Sequence, residues 1–142
     1  MPYKYLDDVV SDVGIKAWGE DLQELFLSAC NALTGVMLPE MKLIPGDKKQ
    51  TIEVQSETLE MLLFEALQEI VFLKDARGIL LFLHQCAVEN RNERFFFTAE
   101  VFYGAVESLR EHLEVDVKAV TMYNFSLTEK KGRWEARVVV DV

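Results

Sequence analysis

Three aspartates, Asp7, Asp8 and Asp12, crowd a bend near the N-terminus, and a fourth, Asp141, stands beside the terminal carboxylate of Val142. If the first and last strands are neighbours, these oxygens converge. A hard cation such as Ca²⁺ takes six or more oxygen ligands, some of them from backbone and water. Two aspartates with a main-chain carboxylate form a partial set of that kind. Spacing by itself favours the plainer reading, in which Asp8 and Asp12 are solvated turn residues and Asp141 frays with the chain end. Lys118 is the other candidate. It shares a face with Asp116 and Val120 in a strand-like run, and a lone lysine there reads equally well as an edge charge that blunts unwanted pairing.

Other chemistries lack their residues. The chain has no phosphate-cradling glycine loop, no HExxH and no GxSxG. His84 and His112 are far apart, and neither has an acidic or cysteine neighbour placed as a ligand partner. His84, set among apolar residues, reads as a core histidine. Cys30 and Cys86 form no CxxC pair or metal spacing, so both read as buried reduced thiols, which suits a cytoplasmic setting. Fifteen basic residues against 24 acidic ones give a net charge of −9. That balance argues against direct RNA or DNA binding, which needs many phosphate-neutralising cations. It suits a hard cation or a basic partner surface.

The elements that must position these residues follow from periodicity. Tyr3 to Val10 is β-prone, and Ile15 to Trp18 alternates before Gly19. Asp21 with Glu24 makes a capping-box-like start. Leu22, Leu25, Phe26, Ala29, Leu33 and Val36 then recur at helical spacing, with Gly35 and Pro39 marking the end. Gln50 to Gln55 alternates as a strand, and Ser56 is placed to cap a second helix. That helix carries Leu59, Leu62, Leu63, Ala66, Leu67, Ile70 and Val71, a stripe wide enough to lie across a sheet. Ile79 to Val88 and Arg94 to Tyr103 read as a hairpin turned at Asn90-Arg91-Asn92. Gly104 to Leu113 fits a short helix or a loop equally well. Val115 to Tyr123 and Phe125 to Thr128 return to strand pattern. Lys130-Lys131-Gly132 then turns the chain into a strand from Trp134 to Val142. Its residues Trp134, Ala136, Val138 and Val140 face one way, and Glu135, Arg137, Val139 and Asp141 the other.

Early helices and late strands do not make a parallel array. The expectation is an α+β fold: a two-layer sandwich of a mostly antiparallel sheet with two main helices packed on one face. Residues 1–142 read as a single domain of a size that sustains its own core. The apolar stretch Glu69 to Cys86 is broken by Lys74, Asp75 and Arg77, so no membrane span is expected. Met1-Pro2-Tyr3-Lys4 lacks a signal-peptide core. A soluble cytoplasmic protein is the expectation.

Four segments, taken together, resemble one family. Ser-Asp-Val-Gly-Ile (11–15) with Asp-Leu-Gln-Glu-Leu-Phe (21–26) is similar to the N-terminal signature of the archeases. So is Leu-Leu-Phe-Glu-Ala-Leu-Gln-Glu-Ile-Val-Phe-Leu (62–73). The C-terminal match is strongest: Val-Lys-Ala-Val-Thr-Met-Tyr (117–123), then Trp-Glu-Ala-Arg-Val-Val-Val-Asp-Val (134–142). The likeness is collinear over essentially the whole chain. It implies an archease-like fold and an accessory protein, not an enzyme, for the GTP-dependent tRNA-splicing RNA ligase of RtcB type. Such a protein promotes guanylylation of a ligase histidine and multiple turnover in tRNA splicing or RNA repair. The resemblance also implies a divalent-metal site at Asp12, Asp141 and Val142, with Ca²⁺ the expected ion and Mg²⁺ or Mn²⁺ the alternatives. It gives Lys118 a part in ligase activation.

The chain departs from the family pattern in places. The usual His-Thr-Ala before the first aspartate is Val9-Val10-Ser11, and the tryptophan common in the second helix is Ala66. The segment after Tyr103-Gly104 lacks the family's usual acidic residue. A second reading stands beside the first: a chaperone-like or scaffold protein with an acidic interaction surface and no metal role. A third, an enzyme with paired carboxylates as acid and base, would need a pocket that raises one carboxylate's pKa.

Overall fold

Helix α1 (Leu22–Met37) begins where Asp21, in extended conformation, accepts a hydrogen bond from the Glu24 amide at 2.8 Å. The Glu24 carboxylate in turn accepts from the Glu20 amide. This is the expected cap, satisfying donors that a helix start leaves bare. The structure, a computed structural model, describes residues 2–6 and 12–142. Every residue from Ser28 to Met37 is buried, so α1 is enclosed on all sides rather than along one stripe. Gly35 does not end the helix. A Cβ there would stand 2.6 Å from the Tyr5 hydroxyl, which donates to the Ala32 carbonyl at 2.8 Å.

Helix α2 (Leu59–Arg77) is capped by Thr58, whose hydroxyl accepts from the Met61 amide. Ser56 instead closes the preceding strand. Gly78, left-handed at φ 62°, ends α2 and returns its amide to the Leu73 and Lys74 carbonyls. Residues 104–113 divide between the end of a strand, a short helix α3 (Val106–Leu109) and a 3₁₀ turn (Arg110–His112).

The strands are antiparallel and lie in two sheets. One runs β1 (Tyr3–Leu6), β2 (Asp12–Gly19), β7 (Arg133–Asp141), β6 (Ala119–Lys130). The other runs β3 (Lys49–Ser56), β5 (Arg94–Ala105), β4 (Ile79–Arg91). The protein is thus α+β with antiparallel strands and helices against them, as expected, but the strands form two sheets rather than one, and α1 touches both, through β2 and β4. Ile15, Ala17, Ala136 and Val138 line α1 from the first sheet, while Leu81, Leu83, Phe97 and Val101 fill the core from the second. The Phe26 and Phe97 rings meet at 5.3 Å.

Two readings of single residues change. His84 is exposed and its ring lies 5.1 Å from that of Phe102. Leu80, Leu81 and Leu83 are buried, but from His84 onward no residue of this strand is buried, so the histidine stands at the end of the core rather than within it. The pairing with β5 also slips between Leu83 and Gln85, a bulge at this histidine. Both cysteines are free, but only Cys30 is fully buried. Half-buried Cys86 donates its thiol to the Gln23 carbonyl. Burial pushes its pKa up to about 12.

Candidate metal and partner site

Asp12 opens β2 and Asp141 closes β7, and the two stand directly opposite in the ladder. Directly paired residues share a face of an antiparallel sheet, with Cβ atoms about 4.5–5.5 Å apart. The strand neighbouring the last one is therefore β2, not β1. Asp12 is half-buried and Asp141 exposed. Like charges facing each other this way are unfavourable unless a cation offsets them. On the other side of Asp141, β6 begins with Ala119 in register with it. The Lys118 amide donates to the Asp141 carbonyl at 2.8 Å, while the Lys118 side chain is exposed. Half-buried Val142 packs on the core beside them. The chain brings Asp12, Asp141, Val142 and Lys118 to one end of the four-stranded sheet. Asp7 and Asp8 lie outside the described residues. Among the described residues no three His, Cys, Asp or Glu side chains form a metal-binding group, so two carboxylates are the side-chain donors present.

Lys118 is held by what precedes it. The segment Leu113–Lys118 crosses the ends of both helices. Its Glu114 amide donates to the Met37 carbonyl at 2.9 Å. Lys74, in the last turn of α2, donates to the Asp116 carboxylate, to Asp75 at 2.8 Å and to the Val117 carbonyl at 2.7 Å. The Lys74 side chain is only 8% exposed. Burial alone would lower its pKa, but the hydrogen bonds and charges of Asp116 and Asp75 outweigh that and raise it. In the sequence, Lys74 marks only a break in an apolar run. The available signal was its position in a helix's last turn, where the dipole favours a cation.

Beyond Thr121, β6 leaves its register. Thr121 pairs with Val139, but the next pairing is Ser126 with Arg137. The strand bulges across Met122–Phe125, with Asn124 left-handed at φ 53°. Two contacts fasten this stretch to α2: the Gln68 side chain accepts from the Val120 amide at 3.3 Å, and Phe64 meets Phe125 edge-on at 5.8 Å. Between these contacts Met122 is 54% and Tyr123 67% exposed. No helix among the described residues is long and apolar enough to cross a membrane.

Comparison with known proteins agrees with this fold. The chain is 30% identical over 143 residues to the archease of Methanosarcina barkeri, covering 99% of this chain and 95% of that one. It is 28% identical over 135 residues to the archease of Methanothermobacter thermautotrophicus, covering 95% of each. The solution structure of a Methanobacterium thermoautotrophicum protein superposes with a TM-score of 0.82 at 25% identity, covering 99% of this chain and 98% of that one. The fold also matches the crystal structure of an "archease, possible chaperone" from Thermotoga maritima, with a TM-score of 0.62 at 16% identity and coverage of 98% and 97%. The archease protein family model matches residues 3–142. With motifs, fold and relatives in agreement, this chain belongs to the archease family.

Proposed function

We propose that this archease is a non-enzymatic activator of the GTP-dependent tRNA-splicing RNA ligase, acting through a divalent cation held at the end of its four-stranded sheet. The observation that carries the reading is the cross-strand pair Asp12–Asp141 with Lys118 tied by its amide to the Asp141 carbonyl. The donors fit a hard cation: two carboxylates and the main-chain oxygen of Val142 are all oxygen ligands, and water or the partner would complete the shell. When bound, such an ion supplies charge stabilisation for phosphoryl groups in nucleotidyl transfer. The chain's own part is to hold the two carboxylates opposite each other on a paired ladder, with Lys118 tied by its backbone amide at the same end of the sheet. An acidic surface suits approach to a basic, RNA-binding ligase face and speeds encounter.

The test is single-turnover guanylylation of the cognate ligase with GTP and metal, with and without this chain. Stimulation by wild type that is lost in folded Asp12→Ala, Asp141→Ala and Lys118→Ala supports the reading. No stimulation by folded wild type sinks it. The chaperone-like alternative draws on the description of the Thermotoga maritima relative. It gains if Asp12→Ala and the remote surface change Asp47→Ala have equal effects, and if Ca²⁺ calorimetry detects no site.

A further inference from the structure

The β6 bulge displays two large apolar side chains that no internal contact requires. Met122 and Tyr123 lie between the Gln68–Val120 and Phe64–Phe125 contacts, so α2 runs alongside them. One turn beyond Gln68 on the same helix stripe stands Phe72, 58% exposed. Glu65 and Glu69 precede Phe72 at spacings of seven and three on that stripe. Among the described residues neither carboxylate has an ion-pair partner. Unpaired at i and i+4, they repel each other within the helix. Exposed aromatic and methionine side chains beside uncompensated acids form an interface pattern: an apolar centre with a charged rim.

We infer that Met122, Tyr123 and Phe72 are the anchors by which this chain docks on a basic protein surface, an apolar recess ringed by Lys and Arg. In the terms of the function proposed above, on which this rests, that surface belongs to the RNA ligase. Charge selects the occupant. Glu65 and Glu69 repel phosphate, which disfavours RNA despite the stacking face of Tyr123. A second copy would bring the same two carboxylates against each other. The bulge starts three residues after Ala119, which pairs with Asp141. At about 3.3 Å per residue, docking here brings Lys118 and the carboxylate pair to within roughly 10 Å of the partner. Attachment and activation are then separate duties of adjoining surfaces.

The experiment measures the affinity of the full chain for the ligase by calorimetry, together with single-turnover stimulation at rising chain concentration. For the double variant Met122→Ala/Tyr123→Ala, Kd rises at least about tenfold, as for loss of aromatic anchors, and full stimulation returns at saturation. Lys118→Ala does the reverse: Kd stays within about twofold and the maximal stimulation falls. Glu65→Lys/Glu69→Lys weakens binding and flattens its salt dependence. His84→Ala, on the other sheet, is the matched exposed control and binds as wild type. An unchanged Kd for the double variant, with wild type binding, overturns the docking surface alone. Wild type that neither binds nor stimulates the ligase overturns the functional reading and this inference with it. Sedimentation that finds a wild-type dimer abolished by Met122→Ala/Tyr123→Ala assigns the patch to a second copy and also overturns it.

Discussion

The two sheets treat their outer strands in opposite ways. Along the open edge of β4, α1 supplies partners: Thr34 donates to the Leu81 carbonyl at 2.8 Å, and Asn31 both donates to and accepts from the Leu83 backbone. Gln23 accepts from the Val88 amide further on. Asn31 and Thr34 are completely buried, and among the described residues no buried side-chain nitrogen or oxygen lacks a partner. The edge of β6 receives a single 3.3 Å bond from Gln68 and then bulges into solvent. Edge strands are normally covered or blunted because they invite pairing. Here one edge is closed by the chain's own polar groups and serves stability. The other carries the candidate site at its start and exposed apolar residues beyond, an arrangement that suits the docking proposed above.

Variants can break this contrast. Asn31→Ala leaves the Leu83 amide and carbonyl buried without partners and is expected to cost about 2–4 kcal/mol, read as a lower urea midpoint with ligase stimulation intact in the folded fraction. Lys74→Met strips Asp116 and the Val117 carbonyl of their donor and costs about 1–3 kcal/mol. Because its folded pKa is raised above the ordinary 10.5, the Lys74 contribution is complete below that pH and disappears as pH rises through the folded value. Urea titrations of wild type and Lys74→Met should therefore converge in strong alkali. A constant gap across that range would mean the cation is not what matters. Gln68→Ala uncaps only one edge amide and should cost about 0.5–1 kcal/mol. Hydrogen exchange checks it, with faster exchange at Val120 and none at Leu83. Asp141→Asn relieves the like-charge pair, so in chelator it should be stabilised by about 0.2–1 kcal/mol. Added Ca²⁺ should raise the melting temperature of wild type and leave this variant unmoved.

Much of this was legible in local pattern. The Asp21 cap, the two helices and the alternation of Trp134, Ala136, Val138 and Val140 toward the interior are short-range signals, and all appear in the structure. Thr58 and Ser56 are equal cap types two residues apart, so pattern could not choose between them. The carboxylates of the candidate site are visible in the sequence, but only family likeness singles out Asp12 and Asp141 from the other acids, because they meet through strand pairing that no spacing rule encodes. Lys74 and Asp116 are 42 positions apart, and composition cannot show that the lysine of this pair is covered while its aspartate stays exposed. In pattern, only Asn124 falls between two strand-like runs, 115–123 and 125–128, and the bulge across 122–125 leaves no mark. The shift of register from Thr121–Val139 to Ser126–Arg137 depends on pairing with β7, which lies outside any local window.

The place of β7 in the sheet bears on how the molecule comes into being. It lies between β2 and β6, though it is the last of the described strands to be synthesised. Until it emerges from the ribosome, the β1–β2 hairpin and β6 have no common partner, and their edges stay open. Pairings of such sequence separation slow folding, since a long loop must close before any contact rewards it. The ladder from Gly19–Trp134 to Asp12–Asp141 then closes as a late step. Its two carboxylates come face to face only once β7 has paired with β2, so a chain still lacking β7 offers no competing site.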